Sequence, residues 1–139
     1  MRPTNQDLLM QIAELVAQRS TCNRAKVGAV LARDYRIIST GYGGAPSGLP
    51  HCTDIGCDID PKTGGCVRTV HAEANAIAYA ARYGISTVGA DLYTTLSPCI
   101  SCAKLIVAAG ICRVYYNEKY RDASGLDLLI KSGVTPFKL

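Results

Sequence analysis

The chain has no tryptophan, one phenylalanine and two histidines among its 139 residues. Aromatic residues make up only 6% of it. A groove for single-stranded nucleic acid needs stacking platforms along a basic surface, so that class is disfavoured. The charge agrees: a net +4 comes from 15 scattered Lys and Arg set against 11 acidic residues, enough to steer a small anion but not a basic stripe. No run of eighteen apolar residues occurs, and Met1 to Gln11 lacks a charged stretch followed by an apolar core. Neither membrane insertion nor secretion is expected, and a cytoplasmic location follows by default. With 48% hydrophobic residues and a mean hydropathy of +0.11, residues 1–139 are expected to form one domain with a proper core. The partner that fits is a small phosphorylated molecule, with no nucleic acid and no membrane.

What the chain does have is cysteine, seven in all. Without a targeting segment these read as reduced thiols and metal ligands, not as a disulfide framework. Cys99 and Cys102 carry the two-residue spacing that lets two thiolates approach one tetrahedral Zn²⁺. Pro98 suits the first turn of a helix and Ser97 suits its N-cap, which places both thiols on an opening turn where the helix dipole favours thiolate. His71 is the expected third ligand. Three protein ligands leave a fourth position for water, the catalytic arrangement, and Glu73 stands two residues on as the general acid/base. His-x-Glu followed by Pro-Cys-x-x-Cys is the signature of zinc nucleobase deaminases. A closed zinc knuckle is the bland alternative, but it needs a fourth ligand and leaves Glu73 unexplained.

Leu8, Leu9, Ile12, Leu15 and Val16 recur at helical spacing from about Asn5 to Gln18, with Thr4 or Asn5 as cap. Val27 to Leu31 and Arg36 to Thr40, around a turn at Arg33-Asp34, predict a hairpin. Arg24 and Lys26 flank its first strand, where they either hold a phosphate or form an exposed pair at a strand edge. The Gly- and Pro-rich segment Gly41 to Gly65 is expected to be a long ordered loop. A second, closed zinc site of Cys22, Cys52, Cys57 and Cys66 would hold it, with His51 as an alternative ligand; four separate cysteines are the other reading. An alanine-rich helix follows from Val70 to Tyr83, then a strand from Asp91 to Leu96 and a helix from Pro98 to Ala109. A strand from Ile111 to Tyr116, a helix from Ala123 to Lys131 and a short strand from Val134 to Phe137 complete the chain. Strand, helix, strand order predicts parallel neighbours, and the whole reads as an α/β fold with a five-stranded sheet covered on both faces.

Several motifs then resemble one family over nearly the whole length, the deoxycytidylate (dCMP) deaminases of the cytidine deaminase superfamily. They are Cys22-x-Arg24 leading into Val27-Gly28-Ala29-Val30, Gly41-Tyr42-Gly43-Gly44-x-Pro46-x-Gly48, His71-Ala72-Glu73-x-Asn75-Ala76-Ile77 and Leu96-Ser97-Pro98-Cys99-x-x-Cys102-Ala103-Lys104. The resemblance implies a three-layer α/β/α cytidine deaminase-like fold with a mixed sheet, and hydrolysis of dCMP to dUMP and ammonia for thymidylate synthesis. It implies Arg24, Lys26 and Tyr120 as phosphate contacts, and Tyr42, Gly43, Ala72, Ser97 and Pro98 around the nucleotide. It also implies a homo-oligomer, with a hexamer favoured, and dCTP and dTTP as effectors with Mg²⁺. Tyr79 and Arg82 would then lie near subunit and effector contacts; helix packing and a solvated charge are their plain alternatives. Cytidine and tRNA adenosine deaminases share the zinc motifs without this combination; a deaminase of another cytosine nucleotide or nucleoside, dCTP or cytidine, is the alternative reading. The chain departs from the family at Gly43, where Asn is usual; glycine cannot make that side chain's bonds to sugar or effector.

Overall fold

The computed structural model describes residues 1–139. Thr4 caps the first helix, α1 (Asn5–Ala17), its hydroxyl accepting from the Asp7 N–H at 3.1 Å. Strands β1 (Gly28–Arg33) and β2 (Arg36–Tyr42) follow as a hairpin. Its turn is Asp34-Tyr35, one residue later than the sequence suggests. Both residues take positive φ, 52° and 61°, which matches the twist of the strands at some strain for side chains other than glycine. After a long connection come α3 (Ala72–Arg82), β3 (Asp91–Leu96), α4 (Ile100–Ala108), β4 (Arg113–Glu118), α5 (Ser124–Lys131) and β5 (Thr135–Lys138). The connection is ordered, as expected, and contains one element that the loop reading lacked, the four-residue helix α2 (Cys52–Ile55).

The strands line up as β2-β1-β3-β4-β5. β1 runs antiparallel to both of its neighbours, whereas β3, β4 and β5 are mutually parallel. The mixed sheet follows from the connections: a two-residue turn allows only the antiparallel hairpin, and α4 and α5 are the crossovers that parallel strands require. Side chains alternate between faces. Ala29, Leu31, Leu92 and Val114 point to a layer with Ala72, Ala76, Ala103, Ile106, Leu126 and Leu129 from α3, α4 and α5. Val30, Ala32, Tyr93 and Tyr115 point to Leu9, Met10 and Ala13 of α1. Three layers result, α1 on one side and the other long helices on the opposite one.

The alanines let α3 lie close to the sheet. Contact at Gly41 is backbone to backbone, since a Cβ there would stand 2.3 Å from the Ala72 carbonyl oxygen and 2.5 Å from the Ala76 nitrogen. That close approach fixes the start of α3 against the end of β2.

Candidate metal centre

The topology brings the chemistry to one end of the sheet. β1 is antiparallel to β3, so its beginning lies beside the end of β3; the Gly28 N–H donates to the Thr95 hydroxyl at 3.2 Å. The segment before β1, the end of β2, the start of α3 and the loops after β3 and β4 therefore share an edge. His71 is the N-cap of α3 and Cys99 the N-cap of α4, so two helix N-termini converge there. This moves one expectation. Ser97 and Pro98 precede the helix and do not open it; both are buried, and the Ser97 hydroxyl accepts from the Tyr120 N–H at 2.7 Å. Cys99 in extended conformation, φ −69° and ψ 171°, starts the helix instead, and Cys102 lies one turn on.

His71 Nδ1 lies 3.5 Å from Cys99 Sγ and 3.4 Å from Cys102 Sγ. Ideal zinc bonds of roughly 2.3 Å to sulfur and 2.0–2.1 Å to nitrogen, at tetrahedral angles, separate S and N by about 3.6 Å. The donor set therefore fits zinc in both chemistry and spacing. The Cys102 thiol and the His71 ring, both hydrogen-bonded to Cys99, pull its thiol down to about 4, while Cys102 is pushed up and keeps the proton. The Cys99 partner in turn holds His71 above its ordinary value. Glu73, on the first turn of α3, is 4% exposed, and burial holds its carboxyl above the usual range. A carboxyl whose burial disfavours its charge holds a proton more readily than a free one, which suits a proton carrier.

His71, Glu73 and Cys99 line one cleft of about 220 Å³, with Cys22, Arg24, Gly43, Ala72, Ser97 and Tyr120 among its other walls, and Cys102 is buried behind them. Six of the eight expected nucleotide contacts are thus placed as follows: Arg24, Gly43, Ala72, Ser97 and Tyr120 in the cleft, and Pro98 buried beside Cys99. Lys26 is exposed and does not line it. Tyr42 opens instead into a second cavity, of about 480 Å³, shared with His51, Asn75, Tyr79 and Tyr83. Arg82, exposed at the end of α3, stacks over Tyr83 with 5.9 Å to the ring centroid. At Gly43 the backbone does not demand glycine: a Cβ there would meet only the Ser20 hydroxyl, at 3.4 Å.

Cys52, Cys57 and Cys66 form a second group of potential ligands within 4.8 Å of one another. Cys22 and His51 stand outside it; His51 Nδ1 is 3.2 Å from the Thr21 hydroxyl. The Cys52 and Cys66 sulfurs are 3.6 Å apart, far beyond the roughly 2.05 Å of a disulfide and near the edge of about 3.8 Å that two thiolates span on tetrahedral zinc. Burial pushes Cys52 up to about 12. Burial also works against the Cys66 thiolate, yet the Asp58 N–H, 3.2 Å away, brings it down to about 7.

Two residues of this edge carry no local sequence signal. Arg121 lines the cleft, its cationic carbon 4.8 Å from the Tyr120 ring centroid. Gly125 lets α5 touch the metal loop, because a Cβ there would lie 2.1 Å from the Pro98 carbonyl oxygen. The only hint of the first is a cation beside an expected phosphate contact; the second depends on a contact between distant segments.

Residues 3–118 match the family described as "Cytidine and deoxycytidylate deaminase zinc-binding region". The chain is 46% identical over 133 residues to ComE operon protein 2 of Bacillus subtilis (strain 168), covering 94% of this chain and 68% of that protein. It is 42% identical over 128 residues to the deoxycytidylate deaminase of Mycobacterium phage D29, covering 85% and 98%. Among solved structures it resembles the dCMP deaminase of cyanophage S-TIM5 in complex with dCMP and dUMP, with a TM-score of 0.87 and 36% identity over 100% of this chain and 99% of that one.

Proposed function

We propose, from the premise that this chain belongs to the cytidine and deoxycytidylate deaminase family, that residues 1–139 are one deaminase domain hydrolysing dCMP to dUMP and ammonia. One observation carries the reading: a His and two Cys at zinc-edge spacing, with a buried carboxyl beside them, next to a cleft that also holds an arginine.

His71, Cys99 and Cys102 would hold the metal. Zinc bound there supplies Lewis acidity, bringing the pKa of water to about 7. Glu73 moves the protons. It takes a proton from the attacking water and gives it to N3 of the cytosine as the water oxygen bonds to C4, and then carries the remaining water proton to the amine as the C4–N bond breaks. The Ala72 backbone and the Ser97-Pro98 segment frame the base and exclude water. Arg24 takes the phosphate, with Tyr120 beside it. The test is ammonia release from dCMP by the parent chain and by Glu73→Gln. Activity in the parent, none in the variant and equal zinc in both are expected; full turnover by the variant would remove Glu73 from the chemistry. Comparing dCMP with dCTP and cytidine decides the substrate, since Arg24 favours a phosphorylated ligand.

The same reading takes the product, dUMP, as supply for thymidylate synthesis in the cytoplasm, where thiols stay reduced. It also includes a structural zinc on Cys52, Cys57 and Cys66, supported by their spacing. A homohexamer regulated by dCTP and dTTP with Mg²⁺ is supported by the second cavity, which joins Tyr42 to an exposed Tyr79. Arg82 lies one turn from Tyr79, on the same exposed surface. Sedimentation with and without each nucleotide checks this part; an unchanged monomer in all conditions would remove it.

A further inference from the structure

We infer that Arg121 is the second cation of a two-arginine clamp for the substrate's phosphate, and that the loop Asp60–Gly65 is the frame that sets the clamp. The inference rests on the dCMP reading above and adds to it a residue outside the motifs that carry that reading.

Arg24 reaches the cleft from the segment before β1, and Arg121 from the segment after β4. Although they come from separate parts of the chain, both end on one loop. An Arg24 guanidinium N–H donates to the Gly64 carbonyl, and Arg121 Nη2 donates to the Thr63 carbonyl at 3.2 Å. The loop is tightly closed: the Gly64 N–H donates to the Asp60 carbonyl and the Asp60 N–H to that of Gly65, each at 2.8 Å. Neither arginine has a carboxylate within 4.0 Å; the molecule's one ion pair is Arg113 with Asp91. Two guanidiniums are thus drawn to adjacent carbonyls with no acid between them. Like charges brought together in a cleft call for an anion, and a carbonyl satisfies only one of a guanidinium's five donors. The remaining donors suit a phosphate dianion.

The position of this charge along the cleft is fixed too. The Tyr120 N–H is bonded to Ser97, whose loop leads into Cys99, and the Arg121 guanidinium stacks on the Tyr120 ring. The anion-binding end is therefore held at a set distance from the metal end, and a nucleotide whose base reaches His71 and Glu73 meets Arg24 and Arg121 with its phosphate. A cation used only for solubility would show neither the shared loop nor the tether.

Steady-state kinetics of Arg121→Ala and Arg121→Lys on dCMP and on deoxycytidine test the clamp. Losing a charge-assisted bond is expected to raise KM for dCMP by about 10- to 100-fold with little change in kcat. Deoxycytidine turnover should not change, which also reports that the variant is folded. Arg121→Lys should recover part of the loss, keeping the charge without the planar fork. An unchanged KM for dCMP, or an equal loss on both substrates, overturns the clamp while leaving the deaminase reading intact. A parent chain that turns over neither substrate overturns the deaminase reading, and the clamp with it.

Discussion

Glu73 sits where burial works against its charge. It is 4% exposed, and burial raises its carboxyl above the usual range. In the unfolded chain the same group ionises near about 4.3. Between that value and the raised one, the unfolded state has released a proton that the folded state keeps, so stability falls as pH rises through this window. In the metal-free protein the melting temperature is therefore expected to decline with pH above the ordinary carboxylate value. Glu73→Gln should flatten the decline and melt higher at neutral pH while losing ammonia release; a melting curve with the parent's pH dependence would contradict it. Tyr93 offers the same kind of test away from the site. Its hydroxyl is buried and has no hydrogen-bond partner, and its ring stacks on Tyr115 at 4.6 Å between centroids. Tyr93→Phe keeps the stack and removes the stranded group, so it should be neutral or stabilising by up to about 1–3 kcal/mol in urea denaturation. A clear loss of stability would mean that the hydroxyl has a partner in solution.

At the scale of elements, the site depends on how closely helices approach one another's loops. A Cβ at Gly125 would stand 2.1 Å from the Pro98 carbonyl oxygen and 2.9 Å from the Cys99 carbonyl carbon. Backbone cannot yield as a side-chain tip can. Gly125→Ala should displace α5 from the metal loop, costing about 1–3 kcal/mol and weakening zinc, measurable by metal titration against a chromogenic chelator. Gly43→Ala meets only the tip of Ser20 and should stay within about 0.5 kcal/mol of the parent. The same distinction explains how much was legible. Apolar periodicity, Thr4, and the glycines after α3, α4 and α5 announced every long helix and all five strands, because those signals are local. The grouping of His71, Cys99 and Cys102, with a buried Glu73 nearby, was legible because motif spacing announces it. The start of α4 was misplaced by two residues because Pro98 imitates a first helical residue, while the packing of Gly125 and the bond from Tyr120 to Ser97 put Cys99 at the cap. The hairpin turn slipped by one because Asp34-Tyr35 carries no glycine. Arg121 was invisible, since its meaning comes from Thr63, 58 positions away.

In the molecule as a whole, the thiols fall into two groups. Cys99 and Cys102 lie beside His71, and Cys52, Cys57 and Cys66 lie together within the long connection between β2 and α3, with Cys66 also reaching the cleft wall. That connection is otherwise ordered by the short helix α2, the isolated bridges Gly44–Val70 and Ile59–Cys66, and hydrogen bonds such as those that close Asp60–Gly65. A structural zinc contributes folding free energy directly, so the second group should set the order of the loop that carries Thr63 and Gly64. Since Arg24 and Arg121 both lean on those carbonyls, loop order should appear in the kinetics as substrate affinity. Parent protein is expected to carry two zinc ions per chain, with Cys57→Ala retaining one. That variant should lose thermal stability, become sensitive to proteolysis between Cys52 and Cys66, and show a raised KM for dCMP with kcat largely kept. Cys99→Ala should also retain one zinc but lose turnover, with its loop still protected. Elemental analysis, limited proteolysis and initial rates on the two variants separate the roles. If the parent holds one zinc, or if Cys57→Ala lowers kcat and leaves KM alone, the second group does not act through the loop.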